Sequence, residues 1–179
     1  MFQYEVDEDI TLKPISEADA KALFQLTDSS RENLREWLPW LDGTKKEEDS
    51  LDFIENSIKN YEAKKSLNCG IFYRGKLAGM AGFNSIDWTN RVGYIGYWLA
   101  EAFQGKGIMT RAVRGLTDYA FQDLELNRID IRAATGNKKS RAIPERLGFK
   151  EEGIIRQAEW LYDHFADHVI YGMLKSDWK

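Results

Sequence analysis

A chain of 179 residues, 43% hydrophobic and 13% aromatic, predicts one domain over residues 1–179 that buries about two-thirds of its unfolded surface. Charged residues of both signs make up 30% of the chain, for a net charge of −4. That balance excludes a general nucleic-acid binder, which needs a concentrated basic face.

The acidic opening MFQYEVDEDI lacks the basic flank and apolar core of a signal peptide. Residues 10–13 read as a first strand, and Ser16 resembles a helix N-cap ahead of the apolar stripe Ala22, Leu23 and Leu26. A second helix is predicted over 31–38, ending before Pro39; its Trp37 makes an aromatic corner with Trp40 and Leu41. Thr44 and Glu47 have capping-box spacing before a long helix carrying Leu51, Ile54, Ile58 and Tyr61. The period then changes. Residues 68–73, 76–83 and 92–99 read as strands, the first two joined by a turn at Arg74-Gly75. The lone Cys69 falls in the first of them; it cannot form an internal disulfide and is expected to be core. The apolar stretch around 92–100 is too short to cross a bilayer as a helix, so the expected setting is the cytoplasm, away from membranes.

After that stretch the chain turns at Gln104-Gly105-Lys106-Gly107, and Ile108, Ala112, Val113, Leu116, Ala120 and Phe121 follow at helical steps. A strand entering a helix through glycines concentrates free N–H groups and the positive end of the helix dipole at one point, which suits a phosphate-bearing ligand. A strand over 128–133, a short helix over 140–147 with Gly148 as its C-cap, and strands over 150–157 and 168–174 complete the chain. Pro144 is placed in the first turns of that short helix, where a missing N–H matters least. The order β-α-α-α-β-β-β-α-β-α-β-β predicts a mixed α/β domain, antiparallel first, with one βαβ crossover.

With these elements in place, the chain resembles the GNAT superfamily of acyl-CoA-dependent N-acetyltransferases. The signature Gln/Arg-x-x-Gly-x-Gly/Ala is matched by Gln104-Gly105-Lys106-Gly107-Ile108-Met109 at its first and fourth positions and departs from it at Met109. Some thirty residues on, Asn137-Lys138-Lys139-Ser140 leads to Leu147-Gly148-Phe149, which looks like the second half of the family's cofactor site. Tyr97-Trp98-Leu99 and Gln157-Ala158-Glu159-Trp160-Leu161 with Asp167-His168 are similar to the Rim-type branch, which contains the ribosomal-protein N-terminal acetyltransferases. The resemblance implies a GNAT-type, mostly antiparallel sheet flanked by helices, with acetyl-CoA as cosubstrate.

It also implies roles. Backbone N–H groups over Gly105, Lys106, Gly107, Ile108, Met109 and Thr110, beside Gln104, would hold the pyrophosphate, with Lys106 and Arg111 as neighbouring charges. Without the resemblance this is an ordinary βα turn with two solvated cations. Trp98, Leu99 and Ala100 would offer unpaired N–H groups to the pantetheine arm and the thioester, where strands in general leave none. Asn137 would meet the arm from the opposite side or serve as a turn or cap residue. Ser140 would donate to the departing thiolate or cap the following helix. Glu159 would be the general base, acting directly or through water; its plainer reading is an exposed loop glutamate. His164 and His168 are four apart without a metalloprotease glutamate between them, and no metal is expected.

The acceptor implied is the N-terminal amine of a peptide or protein, foremost a ribosomal protein. A small amine such as a polyamine, amino sugar or amino acid is the alternative within the same chemistry, and an acetyl-CoA-binding sensor is the alternative outside it. A homo-oligomer remains open, and direct nucleic-acid contact is not expected.

Overall fold

The computed structural model describes residues 2–179. Its centre is an eight-stranded sheet in the order β1-β2-β3-β4-β5-β6-β8-β7. The strands are β1 (Tyr4–Glu5), β2 (Ile10–Pro14), β3 (Leu67–Tyr73), β4 (Lys76–Asp87), β5 (Val92–Leu99), β6 (Arg128–Ala134), β7 (Lys150–Leu161) and β8 (His164–Leu174). Five helices interrupt them: α1 (Ala20–Ser29), α2 (Arg31–Arg35), α3 (Glu47–Glu62), α4 (Ile108–Gln122) and α5 (Lys138–Arg146). All neighbours are antiparallel except β5 and β6, which the α4 crossover joins in parallel. The predicted architecture is the observed one.

Side-chain alternation divides the interior between the two faces of the sheet. On one face Ala81 and Phe83 of β4 pack with Ile95, Ile129 and Ile131 under the apolar stripe of α4, Ile143 of α5 and its C-cap Leu147. On the other, Met80 packs with Ile15, Ala20, Leu23 and Ile54, so α1 and α3 cover that side. Cys69 is fully buried in the first of these clusters, and burial pushes its thiol far above the ordinary range.

Several local expectations are corrected. The cap of α3 is Lys46, not Thr44: the Asp49 carboxylate accepts from the Lys45 and Lys46 amides at 2.8 and 3.1 Å. A carboxylate in the first turn satisfies these donors and suits the helix dipole, which displaces the spacing signal of Thr44 and Glu47. The helix predicted over 31–38 stops at Arg35. The short helix starts at Lys138 rather than Ser140, so Pro144 is its seventh residue and lies past the first turn. β7 runs on to Leu161 and β8 begins at His164, because register shifts at Glu151/Gly153 and Ile155/Glu159 let the ladder continue past irregular stretches. The two-residue β1 is too short for any periodicity to announce it.

One pairing fact positions the site. β5 and β6 pair only from Val92↔Arg128 to Ile95↔Ile131. Beyond that, β5 keeps β4 as its neighbour as far as Leu99, and β6 keeps β8 as far as Ala134. The sheet opens between them.

Close backbone approach makes two glycines of β4 obligatory. A Cβ on Gly82 would sit 1.9 Å from the Leu67 carbonyl oxygen, and one on Gly79 would sit 2.2 Å from that of Trp98. Both obstacles are main chain in a paired strand and have nowhere to go. Gly82→Ala is therefore expected to lower unfolding stability by about 3 kcal/mol, read from urea denaturation midpoints at constant slope.

Candidate active site

The opening between β5 and β6 is a cleft of about 1120 Å³. Tyr97, Trp98 and Leu99 form its floor, the turn from Gln104 to Arg111 one wall, and Gly136, Asn137 and Ser140 the other. Leu34, Glu36, Trp37 and Leu38 roof it from α2 and the turn that follows. The segments quoted for the cofactor are thus brought together from across the chain. Ala100, Lys106 and Glu159 are not among the lining residues.

The phosphate-type wall is built by backbone conformation. Gly105 and Gly107 adopt φ of 78° and 71°, and Gly107 is the N-cap of α4. A Cβ at either position would meet nothing within 4 Å, so the left-handed backbone, not crowding, calls for glycine there. Met109 at the sixth motif position is only 6% exposed and packs in the main core; its bulk is taken up inside the fold. Gln104 fixes the start of the turn: its Nε2 donates to Asn33 Oδ1 and to the Leu99 carbonyl, each at 3.0 Å, and its Oε1 accepts from Lys139 Nζ at 3.3 Å.

One group on this wall has no partner. Thr110 Oγ1 is buried and makes no hydrogen bond, a situation that carries an energetic penalty. A hydroxyl in the first turn of α4, beside the free amides of the helix N-terminus, suits an anionic oxygen. The residues present therefore fit a pyrophosphate. The two cations have other engagements. Arg111 Nη1 donates to Asp7 Oδ2 at 2.8 Å, and Lys106 lies 5.9 Å from the centre of the Tyr73 ring. Desolvation pulls the Asp7 carboxyl up, but hydrogen bonds from the Asp9 amide, Arg111 and the Ile10 amide outweigh it and hold the group below its ordinary value.

On the floor, the amide of Ala100 donates to the Ala78 carbonyl at 2.9 Å. Main-chain groups alternate between the two sides of a strand, so Trp98, two residues before, also faces β4, and the amide turned to the side without a β6 partner is that of Leu99.

Opposite, Asn137 is the N-cap of α5, its Oδ1 accepting from the Ser140 amide at 3.2 Å. The cap reading belongs to Asn137, and Ser140 is the third helical residue. Tyr97 donates from its hydroxyl to the Ser140 carbonyl at 2.8 Å, and burial raises the phenol far above its usual pKa.

Glu159 lies in β7 rather than a loop, with its side chain 30% exposed and its Oε1 3.5 Å from His168 Nε2. His168 is paired with Ala134 at the end of β6, immediately before the Gly136–Asn137 wall. The tip of the β7–β8 hairpin reaches the roof: the Tyr162 hydroxyl donates to the Leu38 carbonyl, and Arg35 stacks over the Tyr162 ring at 3.8 Å while pairing with Asp42 at 2.9 Å. Sequence reasoning missed this roof anchor and the Tyr97 contact. Neither leaves a periodic signal, although Tyr162 was visible next to the Glu159 motif.

With this geometry, comparison with known proteins is specific. Residues 9–150 match the family model described as an acetyltransferase (GNAT) domain. YdaF of Bacillus subtilis (strain 168) is 39% identical over 184 residues, covering 100% of this chain and 98% of that one. The ribosomal-protein-serine acetyltransferase of Escherichia coli (strain K12) is 31% identical over 169 residues, 94% of each chain. Among solved structures, the RimL ribosomal L7/L12 alpha-N-protein acetyltransferase in complex with coenzyme A superposes with a TM-score of 0.93 at 28% identity, covering 97% of this chain and 98% of that one. The microcin C7 self-immunity acetyltransferase MccE in complex with acetyl-CoA and AMP gives 0.90 at 35% identity, covering 94% of each.

The chain belongs to the GNAT family of acetyltransferases. It is an acetyl-CoA-dependent N-acetyltransferase, and its open sheet is the GNAT fold.

The orphaned hydroxyl gives a direct test of the cofactor wall. Thr110→Val should leave the melting temperature of the unliganded protein unchanged or raised, since a buried unsatisfied oxygen is removed. The same change should weaken acetyl-CoA binding about fivefold, measured by titration calorimetry.

Proposed function

We propose that this enzyme transfers the acetyl group of acetyl-CoA to the N-terminal α-amine of a ribosomal protein, with residues 1–179 acting as one acyltransferase domain in the cytoplasm. The observation that carries the reading is the cleft between β5 and β6, closed on one side by the Gly105–Gly107 turn and on the other by Asn137 and Ser140. Its support on the acceptor side is the full-length similarity to enzymes that their names assign to ribosomal-protein termini.

In this mechanism the amides of α4's first turn and the Thr110 hydroxyl hold the pyrophosphate of acetyl-CoA, and Gln104, its own donors taken by Asn33 and Leu99, fixes the turn that presents them. The arm then runs along Trp98 and Leu99, with Asn137 facing it. The free Leu99 N–H at the end of β5 stabilises the negative charge that gathers on the thioester oxygen during attack. The amine nitrogen forms its bond to the acetyl carbon, and the carbon–sulfur bond breaks as the tetrahedral adduct collapses. Glu159 takes the proton lost by the amine. Because its carboxylate stands outside the lining of the cleft, a single bridging water is the route favoured here, with His168 holding the carboxylate in place. Ser140 donates a hydrogen bond to the departing thiolate, which takes up its proton from water as Glu159 returns one to solvent.

A second reading has its own observation. MccE, 35% identical to this chain, was solved with AMP as well as acetyl-CoA, so an amine borne on a small molecule would also fit a cleft roofed by Trp37 and floored by Trp98. Thiol release from acetyl-CoA separates the two. Turnover on ribosomal-protein N-terminal peptides that disappears when the terminus is capped supports the protein acceptor. Turnover confined to polyamines, amino sugars or amino acids replaces it, and tight acetyl-CoA binding without turnover on any amine makes the chain a sensor. In the active case Glu159→Gln and Ser140→Ala should each lower kcat by about 10²-fold or more. Their acetyl-CoA dissociation constants should stay within about threefold of wild type, a change below ~0.7 kcal/mol.

A further inference from the structure

The mechanism above uses Ser140 through its hydroxyl, but its backbone carbonyl has a separate partner. In an α-helix the carbonyl of residue 140 accepts from the N–H of residue 144. Here that residue is Pro144, inside α5, and proline has no N–H to give. The Tyr97 hydroxyl occupies the same carbonyl at 2.8 Å. Tyr97 stands on the part of β5 that has already lost β6 as a neighbour. The bond therefore spans the mouth of the opening, from the floor of the cleft to its far wall.

We propose that Tyr97 is a positioning residue for acetyl transfer: by supplying the donor that Pro144 withholds, its hydroxyl fixes the first turn of α5, and with it Ser140, across the gap between β5 and β6. The phenol suits this task because its burial keeps it protonated and so a permanent donor. The other flank of α5 is held independently. Arg141 donates through Nε to the Tyr171 hydroxyl at 2.9 Å and through Nη1 to the Thr135 carbonyl at 2.8 Å, and Tyr171 donates to Glu145 at 2.7 Å. Ile143 and Leu147 are buried beneath it in the core. Loss of the Tyr97 bond thus releases one side of the helix's first turn and leaves the helix docked.

Proline at 144 makes the claim testable by a double-mutant cycle. The P144A change restores an intrahelical donor to the Ser140 carbonyl, so Tyr97 should matter less in that background. For its kinetic readout the proposal rests on the transferase reading above. Y97F alone should lower kcat about tenfold while the KM for acetyl-CoA stays within about twofold. In the P144A background the same change should lower kcat by less than about threefold. Equal losses in the two backgrounds would show that the phenol acts by packing alone and would overturn the proposal, as would no loss in either.

Hydrogen exchange at the amides of residues 138–141 reads the same coupling without turnover. Y97F should speed that exchange in the wild-type background and not in P144A. Exchange unmoved by Y97F would sink the proposal even in a fully active enzyme. Coupled exchange in a wild-type protein without turnover on any amine would instead sink the transferase reading and leave the bond's positioning of α5 standing.

Discussion

Parallel pairing between β5 and β6 lasts for four residue pairs, from Val92↔Arg128 to Ile95↔Ile131, and then ceases. A strand that leaves its neighbour strands main-chain donors and acceptors in the interior, where each must find another partner or water. In this protein they face a cleft. The rest of the molecule is arranged to keep that opening from collapsing: β4 holds β5 on its outer side as far as Leu99, β8 holds β6 as far as Ala134, and α4 closes the base with Ile108, Ala112, Val113 and Leu116. Gly79 of β4 belongs to the same constraint, since it lets β4 approach β5 beside the opening more closely than any side chain would allow, and Gly82 does the same for β4 against β3.

Two features of the opening then come from the chain on either side of it. The β5–α4 connection leaves a helix N-terminus pointing into it, and Gln104 ties that connection back to Leu99 and Asn33. The β6–α5 connection supplies Asn137 and Ser140, whose hydrogen bond caps the shorter helix. On the α4 wall Arg111 is occupied by Asp7 and Lys106 lies outside the lining, so anion binding there falls to amides and the Thr110 hydroxyl, while Lys138, Lys139 and Arg146 bring positive charge to the facing wall. Fixed backbone dipoles need little reorganisation when an anion arrives, unlike flexible ammonium groups that must first be ordered.

The cofactor half was legible in the sequence because its physics is local. A period change from strand to helix, with glycines at the junction, follows from side-chain spacing and from φ values that only glycine adopts readily, and residues 92–122 carry both. The succession of strands and helices along the later half was legible for the same reason, whereas the placing of β8 between β6 and β7 was not. What escaped was set by competition between neighbouring capping groups or by contacts between distant segments. Asn137 rather than Ser140 caps α5 because its side chain reaches the Ser140 amide, a choice that two capping-type residues three apart leave open. Asp49 displaced Thr44 and Glu47 by the same competition among acceptors. The Tyr97 bond joins residues 43 apart along the chain, and it needs both a proline at 144 and a strand that the fold brings alongside α5. Glu159 could be picked out only by resemblance, since the register shift that keeps it in β7 has no signature in Arg156-Gln157-Ala158.

The two ends of the cleft differ in construction, and the difference bears on what each can recognise. The cofactor end is made from α4 and β5, whose residues belong to the main core. The acceptor end is roofed by the five-residue α2 and the turn after it, held by the Tyr162–Leu38 hydrogen bond, the stacking of Arg35 on Tyr162 and the packing of Trp37 over Gly136. Such a roof can be altered by changing a few side chains without touching the core, as is general for binding segments carried on a rigid scaffold. Acetyl-CoA is the constant partner and meets the constant half. The amine varies among relatives named for ribosomal termini and for microcin immunity, and it meets the half whose anchors are single contacts. On the function proposed above, acceptor choice would fall to Trp37, Leu38 and the Tyr162 hairpin tip that holds them, and acetyl transfer to the parting of β5 from β6.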